Sequence, residues 1–233
     1  MPVTNRESVA CRALVGIHLT RARSTAWASA LAVAAMSSID ILRHGLSVDT
    51  TVPWLLGASL TIPLAPGFSI IREKTDGSLR YFSSLPVSGR VHAVARAATS
   101  ALTSVIAAGV AAIAVALKFP ASSPAIVVAT FAASWLGLSA ISLAIVAVQL
   151  RVSVGQAAKR IVLGMGAVVV GLQLIGAAQE RGAFDHLKER LFTQEGLLVV
   201  SITFWLLLGA VFAASMRSIA KTSVTYRAEP STP

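Results

Sequence analysis

Long apolar runs alternate with short polar ones along the whole chain. A helix that crosses a bilayer needs about 20 predominantly apolar residues, with about 17 to 25 the usual range. Six runs reach that length: Thr25–Leu42, Trp54–Ile71, Val91–Leu117, Pro124–Leu150, Ile161–Ala178 and Gly196–Met216. The third and fourth exceed it, which predicts tilt or a start in the headgroup layer, as Arg96 and His92 near the start of the third also indicate. The first run continues through Ile39, Ile41 and Leu42, past the core of a cleavable signal, and is read as a span. Pro63 and Pro66 each remove a backbone donor from the second span and predict a kink or break in its inner half.

The polar intervals predict the rest of the architecture. Residues 1–24 place Val9, Ala10, Ala13, Leu14 and Ile17 within one arc of a helical wheel, among four Arg and one Glu, as an interfacial helix held by anionic lipid requires. Segment 179–195 repeats Phe184, Leu187, Leu191 and Phe192 at helical spacing and predicts a short helix on the opposite side of the membrane. Residues 220–233 are polar and rich in Ser, Thr and Pro, a composition that predicts a disordered tail. The expected fold is an all-α integral membrane protein: an N-terminal interfacial helix (1–24), a six-span domain (25–219) and a tail (220–233).

Composition supports that class. Hydrophobic residues make up 55% of the 233 positions and charged ones 13%, far from the balance of a soluble domain. The net charge of +10 is explained by topology: fifteen Lys and Arg fall on one side of the predicted spans and five on the other. The cytoplasmic side collects basic residues, so both termini and the interval 72–90 are expected there. Because the cations are spread between apolar runs, no nucleic-acid partner is expected. A single cysteine, Cys11, excludes an internal disulfide and a cysteine-built metal site.

Little of the chain's chemistry is catalytic. GxxxxGK[ST], GxSxG, HExxH and CxxC are all absent, so no nucleotide cradle, catalytic residue, bound cofactor or metal is expected. His18, His44, His92 and His186 fall in different segments; His186 and Glu189 share a helix face that reads as solvated surface. Ionisable groups within the spans are nearly absent, and Asp40 lies close enough to Arg43 and His44 for an interfacial ion pair. Among the mildly polar span residues, Gln173 is the costliest to leave facing lipid and is expected to point at protein or a cavity.

The informative stretch is the polar island after the second span. Its pattern, Arg72-Glu73-Lys74-x-x-Gly77-x-Leu79-x-x-x-x-Ser84-Leu85-Pro86-Val87-Ser88-x-Arg90, resembles the cytoplasmic loop of type-2 ABC exporter permeases. The span layout and the basic N-terminal segment, an elbow helix in that family, are also similar. The resemblance implies a coupling helix in 72–90 that fits a groove of a separate P-loop ATPase, present in two copies and binding the ATP and Mg. Gly77 would allow the turn, Leu79, Phe82 and Leu85 would fill the groove, and Pro86, followed by Val87, would end the helix. Glu73, Lys74 and Arg80 would set register by charge pairing.

It further implies a second permease subunit, identical or related, with Ser59, Thr61, Pro63 and Gln173 on the substrate path. The setting would be a bacterial inner membrane. Only 6% of the residues are aromatic, so a compact amphiphile such as a drug, antibiotic, peptide or lipid is the expected cargo rather than a long polysaccharide. Two other classes stay open on the residues alone. An ion- or proton-coupled carrier predicts mid-membrane charge that is not seen, and a non-transporting assembly or anchor protein would use the island only for binding.

Overall fold

The computed structural model describes residues 5–45, 47–121, 123–153, 156 and 194–228, all of whose regular elements are helical. In chain order these are α1 (Asn5–His44), α2 (Val48–Thr61), a 3-10 turn (Ile62–Leu64), α3 (Ala65–Thr75), α4 (Ser78–Ser84), α5 (Gly89–Lys118), α6 (Pro124–Arg151) and α7 (Gln194–Ala228). Four stretches are long and apolar enough to cross a membrane: Thr51–Thr75, Gly89–Lys118, Pro124–Arg151 and Leu198–Ser223. They correspond to the second, third, fourth and sixth predicted spans. The fifth span, Gln173 and most of segment 179–195 lie outside the described residues, as do the side chains of Asp40, Arg43 and His44.

The chain divides into two compact units, residues 152–210 and the remainder. The described part of the first of these is mainly the apolar opening of α7. The larger unit holds α1 to α6 and the end of α7, and its centre is the antiparallel pair α5 and α6. Small buried residues on α5, among them Ala93, Ser100, Ser104, Ala107 and Ala111, let the two axes approach closely. Leu143, Val146, Ala147 and Leu150 of α6 fill the other side, joined by Ile70, Leu79 and Ile219. Trp135 ties the pair with a hydrogen bond from its Nε1 to the Ala101 carbonyl at 2.8 Å.

The second span breaks where its prolines predict. Neither Pro63 nor Pro66 donates a backbone hydrogen bond; the α-helix yields to one 3-10 turn centred on Pro63, and Pro66 stands in the first turn of α3. Beyond the break, Gly67 brings α3 against α6: a Cβ there would come within 2.5 Å of Ile145 Cγ2. That contact sets the separation of the two helices.

Two boundaries differ from expectation. No break separates an interfacial helix from the first span, since α1 runs unbroken for 40 residues. Leu14, His18 and Ala22, one helical turn apart, are all buried and pack this part of α1 against the bundle, while Val9, Ala13 and Ile17 of the predicted apolar arc stay exposed. The tail likewise stays helical to Ala228. Ile219 is 1% exposed in the main core, and this anchor carries the helix beyond its apolar stretch.

Candidate functional site

The island at 72–90 forms a compact helical corner. Helix α3 ends as Asp76 N–H bonds the Arg72 carbonyl at 2.9 Å, and Gly77 then adopts φ +74°, ψ −5°. That left-handed conformation is cheap only for glycine, so Gly77 makes the turn the sequence assigned to it. Asp76 Oδ1 accepts the Ser78 N–H at 2.9 Å and starts α4. At the other end Leu85 turns extended, φ −58° and ψ 140°, as a residue before proline must, and α4 stops.

Beneath this corner lies a buried polar cluster. Glu73 is 0% exposed and accepts two hydrogen bonds from the Arg96 guanidinium, Nη1 to Oε1 at 3.1 Å and Nη2 to Oε2. The forked pairing suits Arg in a buried site. His18 Nδ1 lies 3.2 Å from Oε1 of the same carboxylate. A carboxylate only accepts, so Nδ1 carries the proton and Nε2 is left as a buried lone pair without a hydrogen-bond partner. One acid on α3 thus joins α1 to α5.

A second layer clamps α4 itself. The Phe82 ring meets the His18 ring edge-on, 5.5 Å between centroids, and the Arg21 guanidinium lies 5.2 Å from its centre. Arg21 Nη1 also donates to Asp76 Oδ2 at 3.1 Å and to Ser78 Oγ. Hydrogen bonds from Ser78, followed by the Arg21 charge, hold the Asp76 carboxyl below its ordinary range. Lys74 Nζ reaches the carbonyls of Gln149 and Leu150 at 2.6 and 3.1 Å, neutralising the negative end of α6. Helix α4 itself meets the long helices through Leu79, clustered with Ala93 of α5 and Leu143 of α6, and Phe82, clustered with Leu14 of α1 and Val91 of α5.

These contacts reassign much of the predicted site. Leu79 and Phe82, expected to fill a partner's groove, are 5% and 6% exposed in the chain's own core, because the turn at Gly77 points them inward. Glu73 and Lys74, expected to set register with a partner, are engaged within the chain. Arg80 and Pro86 are exposed, and Leu85 and Val87 are half-buried beside Leu14 and Phe82. Of the path residues, Ser59 and Pro63 are buried and Thr61 is half-buried; both hydroxyls bond carbonyls of their own helix. Sequence reasoning missed His18, Arg21 and Tyr81 and read Arg96 only as a headgroup residue. A cation within an apolar run needs an anion nearby, and that requirement was the signal for the Arg96 and Glu73 pair.

The cluster makes an acid-sensitive brace. Burial, followed by the Arg96 charge, pushes the His18 pKa from 6.5 down to about 4, against the opposing pull of Glu73 and with a smaller contribution from His92. The unfolded chain binds a proton below pH 6.5 that the folded chain refuses, so this stability is complete above 6.5 and declines toward pH 4. The expected loss across that window is on the order of 3 kcal/mol. Thermal unfolding in detergent between pH 7.5 and 4.5 measures it; His18→Gln should flatten the dependence, and an unchanged slope would assign the loss to other groups.

Among the described residues, no group of three His, Cys, Asp or Glu converges where a metal ion would sit. The arrangement offers mechanical connection, a short outward helix braced on three long ones. Compared with protein-family models, characterised proteins and solved structures, the chain matches none.

Proposed function

We propose that this chain is the permease subunit of an ABC exporter, a six-span protein of a bacterial inner membrane with both termini in the cytoplasm. It works with a second permease subunit and with two copies of a separate P-loop ATPase, and moves a compact amphiphile out of the cell. The observation that carries the reading is α4: a seven-residue helix, between two helices long enough to span a membrane, presented outward and joined from beneath to α1, α3, α5 and α6. A solvated loop needs no such bracing. A helix that receives force from an ATPase does, because a push on a loose loop is lost in its own motion before it reaches the spans.

The four apolar stretches and the resemblance of the island support the same reading. It is tested by extracting the tagged full chain in mild detergent with its native partners and assaying ATP hydrolysis. Recovery of a P-loop subunit with measurable turnover is the expected result. Recovery of the chain alone, without ATPase activity under conditions that preserve known membrane complexes, would overturn the assignment.

A further inference from the structure

We infer that Tyr81, flanked by Arg80, is the anchor through which α4 seats in the ATPase, and that the receiving groove is apolar at its base and acidic at its rim. This rests on the proposed exporter reading and names the partner's chemistry at that contact. Because Leu79 and Phe82 are buried, the outward face of α4 belongs to Arg80, Tyr81 and Ser84. Tyr81 is the large apolar group there, 64% exposed. Its ring meets Phe82 edge-on at 5.8 Å, and Phe82 is gripped by His18 and Arg21. The anchor is thus positioned before a partner arrives, which lowers the ordering cost of binding. A tyrosine offers a broad apolar ring and one hydroxyl at its tip, the combination that carries binding at protein interfaces.

Charge selects the partner. Of the acids in 72–90, Glu73 is paired with Arg96 and Asp76 with Arg21. Arg80 and Arg90 are exposed and have no acidic partner among the described residues. With both acids of the segment paired, Arg80 leaves the exposed face of α4 cationic, which complements an acidic rim. A second copy meeting the same face would set arginines against arginines, which disfavours self-pairing. An anionic bilayer is the competing acidic surface.

The test uses the full chain with its co-expressed ATPase subunit. Tyr81→Ala and Arg80→Glu should each weaken recovery of the ATPase by about tenfold or more while leaving thermal unfolding of the permease unchanged. Recovery by the native chain should fall with salt, and Arg80→Gln should reduce that dependence. A photocrosslinker at position 81 should label the ATPase, and reversing the acidic residue it identifies should restore binding to Arg80→Glu. If the native chain binds the ATPase and both variants bind it equally, the anchor is wrong and the exporter reading stands. Crosslinks from position 81 only to lipid or to another permease copy would likewise overturn the anchor. If the native chain binds no ATPase, both readings fall.

Discussion

Glu73→Ala should be the most damaging single substitution in the described structure, lowering stability by about 3–5 kcal/mol. The loss comes from what remains. Arg96 would stay buried with its charge uncompensated, and His18 Nδ1 would lose its acceptor. The ion pair itself need not be strongly stabilising, because removing both charges from water offsets much of their attraction. Replacing both partners by apolar residues of similar volume, Glu73→Leu with Arg96→Met, should therefore be far milder than Glu73→Ala alone. Thermal unfolding in detergent of the two singles and the double separates the cases. A double variant as unstable as Glu73→Ala would show that hydrogen bonding to His18, and not the stranded Arg96 charge, dominates.

Phe82→Ala follows, at about 3–5 kcal/mol. The ring lies among Leu14, Val91 and Ala95, so its loss leaves a cavity between α1, α4 and α5 and also removes its contacts with His18 and Arg21. The adjacent Tyr81→Ala provides the contrast. With its side chain largely in solvent, it should change stability by no more than about 0.5 kcal/mol. If the neighbours instead shift unfolding equally, α4 does not present Tyr81 outward and bury Phe82. The two substitutions thus read the orientation of α4 directly.

The elements were legible where local chemistry decides them. Run length alone located the helices 89–118 and 124–151, whose predicted spans end within two residues of the observed ones. Pro63 and Pro66 announced the 3-10 interruption, because a missing backbone donor acts whatever surrounds it. Gly77 and Pro86 bracketed α4 for equally local reasons, one tolerating positive φ and the other forcing its predecessor extended.

Facing was not legible. Leu14 and Ile17 share the apolar arc of α1, yet Leu14 is 1% exposed and Ile17 38%. In a chain that meets lipid, apolar character does not distinguish a side turned to protein from one turned to the bilayer, and the wheel lost its usual meaning. The same ambiguity sent Leu79 and Phe82 toward a partner's groove when both belong to the chain's own core.

By itself, then, the sequence determined the helical, apolar character of the described chain, the positions of α5 and α6 and the two ends of α4. These follow from hydrophobic length and from backbone restrictions that act within a few residues. Only the tertiary structure decided that Glu73 is shared by Arg96 and His18, that Lys74 caps α6 and that Tyr81 faces outward. Those groups lie 23, 55 and 75 residues apart for the first two contacts and the cap, a separation that no local pattern spans. What joins them is the cost of burying charge, which is met only when folding brings a partner of opposite sign, or a helix end, within hydrogen-bonding distance.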